Sequence, residues 1–208
     1  MVKSLLLVLP SATIFVTSAL AQMPQFVLNC TLYPDVCDNT CNAVYCHGVQ
    51  QILHYDPLSN SNLPNPLTGV TAAGYRRANI GCGTNNYCSG TGTDCDEYPY
   101  ASTFDGGVGC IAARYTGAAG DIAQSGTTRC ATPAQNRAHG AQLAAFYLTH
   151  LLAPGAQFKV AFDATIDNAP LCAQVRPGGT GTQANCPDDS GPLYRFRSTP
   201  AASFCPSR

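Results

Sequence analysis

The sequence predicts a small, disulfide-rich α+β domain, and three observations carry that prediction. Twelve cysteines crowd a chain of 208 residues. One segment, Thr132 to Leu152, bears the marks of a capped helix, and the next, Phe158 to Ile166, alternates as a half-buried strand does.

The chain opens with Lys3, an apolar run from Leu5 to Val16, and small residues ending in Ala19-Leu20-Ala21 before Gln22. This order of a charge, an apolar run and a small-residue end predicts a secretory signal peptide over residues 1–21. The apolar run is too short to cross a bilayer, and no later stretch approaches the roughly 20 apolar residues a spanning helix needs. The expected product is a secreted, extracellular chain of 187 residues with no membrane partner, long enough for one domain with a real core.

All twelve cysteines lie in that mature part, and an even count in an exported chain predicts disulfides. The cluster Cys37, Cys41, Cys46 and His47 also admits a zinc reading, although its spacing matches no standard finger. Asn29-Cys30-Thr31 is a glycosylation acceptor if the source is a eukaryote, which makes a glycoprotein the expectation there.

From Gln22 to about residue 94 cysteine, asparagine, proline and glycine dominate without a sustained period, so this stretch reads as a bridge-held arm with short helical pieces. Thr132-Pro133-Ala134-Gln135 has the form of a capping box with proline at the first helical position, and Pro154-Gly155 ends the helix that follows. At 100° per residue Leu143, Phe146, Tyr147, His150 and Leu151 gather on one side, the expected core face. Residues 95–166 form the predicted core, with a second strand over Cys110 to Tyr115. Residues 167–208 read as a loop-rich C-terminal arm held by Cys186 and Cys205.

Once Lys3 is removed with the leader, 10 basic residues face 12 acidic ones, a formal charge of −2. A protein that grips nucleic acid statically by displacing counterions is normally basic, so no stable nucleic-acid complex is expected. An enzyme that meets a phosphate transiently, with a cation supplying the positive charge, remains allowed.

The densest polar cluster runs from Asp96 to Thr103 and is followed by Asp105-Gly106-Gly107. Glu97 is the only glutamate in the protein, placed beside Asp96 and in front of Tyr98-Pro99. Adjacent carboxylates can divide two tasks, one accepting a proton and the other orienting a partner or a cation; an exposed acidic turn is the plain alternative. In the first turn of the helix Asn136 points along the side of Leu143 and Tyr147, with His139 adjacent. An inward amide needs partners, and a hard cation is one that its carbonyl oxygen suits. His139 reads as structural or catalytic.

Asp96-Glu97-Tyr98-Pro99, the glycine pair Gly106-Gly107, and Asn136-Arg137 opening a helix resemble the secreted deoxyribonucleases of the NucA/NucB family. CDEYPYAST followed by NRAHGAQLAAFY is more similar to fungal-type members with a cysteine-rich arm in front, and the resemblance covers roughly residues 95–166. It implies a ββα-metal-type nuclease core with one divalent cation, magnesium or manganese first and calcium as a further option. It also implies a metal-dependent endonuclease that hydrolyses DNA phosphodiester bonds without sequence specificity, DNA being met only as substrate. Carried over residue by residue, Glu97 resembles the general base, Asp96 its partner at the metal or phosphate, Asn136 a metal ligand and Arg137 a phosphate clamp. Bacterial members tend to have tryptophan at Tyr98, glutamate at Asp105 and a small residue at His139, so a catalytic role for His139 rests on its place in the helix alone. The expected enzyme is a monomeric hydrolase. A secreted ribonuclease or toxin with the same site, and a non-catalytic cysteine-rich surface-binding protein, are the alternatives.

Overall fold

The computed structural model describes residues 22–61, 69–107, 125–180 and 185–198, and these form two three-stranded sheets and four short-to-medium helices. The expected signal peptide, the strand at Cys110 to Tyr115, and Cys110 and Cys205 lie outside the described residues.

The first sheet joins distant parts of the chain. β1 (Gln25–Leu28) alternates exposed and buried residues and turns Phe26 and Leu28 inward. It lies parallel to β5 (Gln157–Phe162), with Phe26 opposite Val160, while β2 (Ile52–His54) pairs antiparallel to the other side of β5. The second sheet is antiparallel throughout, in the order β3 (Asp94–Tyr98), β4 (Ser125–Ala131), β6 (Tyr194–Ser198), so β3 is an edge strand among the described residues.

α1 (Pro34–Cys41) starts at a proline and continues into a π-helical turn, Asn42–Cys46. α2 (Ala72–Ile80) has both ends satisfied: the Thr71 hydroxyl accepts from Gly74 N, and Gly81 ends the helix at φ 103, a conformation open to glycine. α3 (Pro133–Thr149) follows β4 directly, and a 3-10 turn, Ile166–Asn168, precedes α4 (Pro170–Val175). Phe26, Leu28, Val36, Leu53, Tyr98, Leu143, Phe146, Phe158 and Val160 form the core. Each such side chain contributes about 1.5–3 kcal/mol on burial.

Charged side chains bind α1 to the second sheet. Arg129 on β4 donates from Nη1 to Asp38 Oδ2 at 2.7 Å and from Nη2 to Asp35 Oδ1 at 2.8 Å. Asp38 also accepts the Leu171 and Cys172 amides, joining α4 to the same point. Among the described residues five disulfides complete the framework: Cys30–Cys37, Cys41–Cys172, Cys46–Cys186, Cys82–Cys95 and Cys88–Cys130. Two of them close sequence separations of 131 and 140 residues, each contributing about 4–5 kcal/mol in the chain-entropy description. Cys37, Cys41 and Cys46 are thereby committed to bridges, and the zinc reading falls.

Several elements differ from the sequence expectation. The stretch read as an irregular arm with short helical pieces holds two such helices, α1 and α2, but it also supplies the strands β1 and β2. Strands of three and four residues are too short to show a period, and their partner in β5 lies more than a hundred residues away. The C-terminal stretch read as loop-rich holds β6, where Tyr194, Arg195 and Phe196 pair with Arg129, Thr128 and Thr127 of β4. The capping-box residues serve another element: Thr132 makes no side-chain cap, its N–H and hydroxyl both donate to Asp35 Oδ2, and Gln135 Oε1 accepts from Asp35 N. The core face of α3 is His139, Leu143, Phe146 and Tyr147. His150 and Leu151 are exposed instead, because the helix stops at Thr149 and Leu151 takes φ 48, turning the chain away.

Candidate active site

A cleft of about 800 Å³ runs along β3, between α2 and the residue 55–60 loop on one side and α3 on the other. Asp96, Glu97, Asn136, Arg137 and His139 all line it. The acidic pair belongs to the strand and not to a turn, which decides how it is used. Successive strand residues point to opposite faces, so Asp94 and Asp96 face α3 and α1, while Cys95 and Glu97 face α2.

Asp96 is almost fully buried, and its Oδ2 accepts from Asn39 Nδ2 at 2.8 Å. Burial, reinforced by the neighbouring charge of Glu97, pushes the Asp96 carboxyl well above the usual carboxylate range. Asn39, on α1, is fully buried, and its own Oδ1 has no hydrogen-bond partner among the described residues. An amide oxygen left orphaned beside a carboxylate with a disfavoured charge is a polar recess that a cation would relieve.

Glu97 is 8% exposed and its Oε1 accepts from Arg77 Nε at 2.9 Å. Glu97 lines the cleft, and its Oε2 makes no hydrogen bond among the described residues. Arg77 is half-exposed on α2, and the Glu97 charge raises its already high pKa further.

From α3, Asn136 is half-buried and its side-chain amide makes no hydrogen bond among the described residues. Arg137 reaches out at the rim, with Nε 3.0 Å from Asp94 Oδ2 and Nη2 3.3 Å from Asp94 Oδ1. His139 is enclosed by Phe26, Tyr33 and Tyr100, with ring centroids 5.6, 6.0 and 5.2 Å away. Its Nε2 has no partner among the described residues, and burial lowers the imidazole pKa to about 4, so the ring is neutral at physiological pH.

The glycine pair after β3 has a packing cause. A Cβ on Gly106 would collide with the Tyr100 carbonyl, and one on Gly107, at φ 79, would lie 2.9 Å from Arg76 Cα. Arg76 is fully buried, 2.7 Å from Asp56 Oδ2, and donates to Ala101 O. That brace fixes the residue 99–107 turn against α2 and so sets the cleft's width. Asp105 is turned away from the cleft: it accepts from Gln50 Nε2 and from His54, and burial raises its pKa.

Sequence reasoning reached Asp96, Glu97, Asn136, Arg137 and His139, and the fold brings them to one cleft. It did not reach Arg77 or Asn39, whose parts depend on tertiary contacts. The only sequence signal for Arg77 is the pair Arg76-Arg77 just ahead of a glycine helix stop.

A family model described as Deoxyribonuclease NucA/NucB matches residues 40–161, reaching well back from the Asp96-Glu97 motif into the cysteine-rich stretch. No curated protein and no solved structure matches the chain.

Proposed function

Because the chain belongs to the NucA/NucB deoxyribonuclease family, we propose that it is a secreted, divalent-metal-dependent endonuclease that hydrolyses DNA without sequence specificity, using the cleft along β3. Family membership supports nucleic-acid hydrolysis in general. The single observation that carries the specific reading is that Glu97, with one oxygen held and the other free, shares its cleft with Asp96 and the unpartnered amide of Asn136. The order β3, β4, α3, an antiparallel pair leading straight into the site helix, supports a ββα-metal-type core.

The donor chemistry fits a hard cation. Among the described residues no three His, Cys, Asp or Glu side chains converge on a metal position, and magnesium characteristically uses one or two carboxylates with waters filling the rest. Asp96 and Asn136 would hold it, with the orphaned Asn39 Oδ1 lying behind Asp96. Such a cation supplies charge neutralisation at the scissile phosphate and at the oxygen that leaves.

The chain's own residues do the rest. Glu97 Oε2 accepts a proton from the attacking water as the new P–O bond forms; the old P–O bond breaks, and the leaving oxygen takes a proton from solvent. Arg77 keeps Glu97 oriented, and Arg137 contacts a phosphate at the rim. We assign the proton acceptor to Glu97 in preference to His139, whose imidazole is sealed among aromatic rings. The five disulfides support export to an oxidising compartment.

The test is digestion of plasmid DNA by the mature protein. Cleavage with magnesium or manganese, stopped by chelator and weaker on RNA, is the expected outcome; digestion indifferent to chelator removes the metal, and a strong RNA preference removes the substrate assignment. Asn136→Ala should raise the metal concentration for half-maximal rate about tenfold or more.

A further inference from the structure

The cleft changes character along its length. Near Glu97 and Asn136 it is polar and flanked by Arg77 and Arg137, whereas its far end is formed by Tyr55, Tyr147 and Leu148. Building on the nuclease reading, we propose that this far end is a nucleobase-stacking subsite, in which the Tyr55 ring takes one base of the strand whose phosphate lies at Glu97.

Tyr55 is held as a platform. Its N–H donates to Ala156 O at 3.0 Å, its carbonyl accepts from Gly155 N at 2.9 Å, and a β-bridge pairs it with Thr103. Its ring lies against Tyr147, with centroids 4.3 Å apart and planes inclined by 31°. Tyr147 is itself fixed, sharing a 2.8 Å hydrogen bond with Ser102 and packing edge-on to Phe158 in the core. The outer ring of this stack is thus rigid, half-buried and open to the cleft. Little ordering entropy stands against its use for binding.

The occupant follows from the spacing of chemistry along α3. Asn136 and Tyr147 lie about 16 Å apart along the helix axis at 1.5 Å per residue, a few nucleotides of strand at about 3.4 Å per stacked step and fewer when extended. Between them the wall is low: a Cβ on Gly140 would meet nothing within 4 Å, and Ala144 is exposed and small. At the end, Leu148 stands 75% exposed beside the ring stack. One exposed leucine is ordinary; next to a presented tyrosine in a cleft whose other end suits phosphate, it completes an apolar slot. A polymer alternating negative charge with flat apolar rings matches that layout, and every base offers a π-face, so the slot tolerates any sequence.

The experiment compares initial rates on a single-stranded oligonucleotide with those on a base-free deoxyribose-phosphate strand of equal length, bases being retained only at the scissile step. Tyr55→Ala should raise KM on the base-bearing strand about 5–100-fold with kcat little changed, and Tyr55→Phe should stay within about twofold. On the base-free strand wild type and Tyr55→Ala should coincide. Equal KM values on the base-bearing strand, or an equal rise on both strands, overturns the subsite. Tyr55→Leu, which keeps apolar contact with Tyr147, repeats the comparison should the alanine variant unfold. A wild-type protein that cleaves neither strand nor plasmid DNA refutes the nuclease reading instead; fluorescence-anisotropy affinities for the two strands then test the stacking by the same ratio.

Discussion

The two faces of β3 are built for different work. On the face turned to α1 and α3 the surroundings of Asp96 are enclosed: Asp96 is bound by Asn39, Arg129 ties Asp35 and Asp38 to the sheet, and Cys41–Cys172 locks α1 to α4. On the face turned to α2 the contacts are looser, with Glu97 held at one oxygen by a half-exposed Arg77. A carboxylate held by fixed dipoles is suited to keep a bound partner in place, whereas one with an unbonded oxygen at a cleft can exchange a proton. The strand's two-residue period therefore divides an adjacent acidic pair into a positioned member and a reacting member.

Substitutions on the two faces should separate accordingly. The largest stability effect belongs to the enclosed side. The folded state holds the His139 pKa at about 4 against the ordinary imidazole value of 6.5, so its contribution is complete above about pH 6.5 and is lost as pH falls toward 4, amounting to about 3 kcal/mol. His139→Phe should flatten that dependence, read as a thermal midpoint that no longer drops between those pH values; an unchanged drop would assign the acid sensitivity elsewhere. Asn39→Ala should come next, costing about 1–3 kcal/mol by leaving Asp96 buried without its donor, measured by denaturant unfolding, and it should lower cleavage as well. On the open face, Arg77→Ala should cost less than about 1 kcal/mol while slowing cleavage through a misoriented Glu97. A stability loss there as large as that of Asn39→Ala would erase the distinction between the faces.

The parts of this arrangement that sequence could show are those written locally. α3 and β5 are long enough to carry a period and are bounded by Pro133, Pro154 and Gly155. Glu97 stood out because the chain uses no other glutamate, and Asn136 because of its place on the helix. β1, β2 and β6 were hidden by their shortness and by partners far away in sequence. Asn39 looked like one more polar residue in a cysteine-rich stretch, and only the packing of α1 onto β3 gives it a carboxylate to hold. Leu151 shows the opposite error: helical phase put it inward, but the left-handed turn after Thr149 put it in water.

The central claim is that Glu97 moves the proton in a metal-assisted cleavage without being needed for the fold. Glu97→Gln and wild type, assayed side by side on plasmid DNA with magnesium and with their thermal midpoints read on the same samples, test it most directly. The account predicts a rate lower by about 10² to 10⁴-fold with little change in midpoint; a variant that cuts at the wild-type rate, or one whose rate falls only because it unfolds, would contradict it.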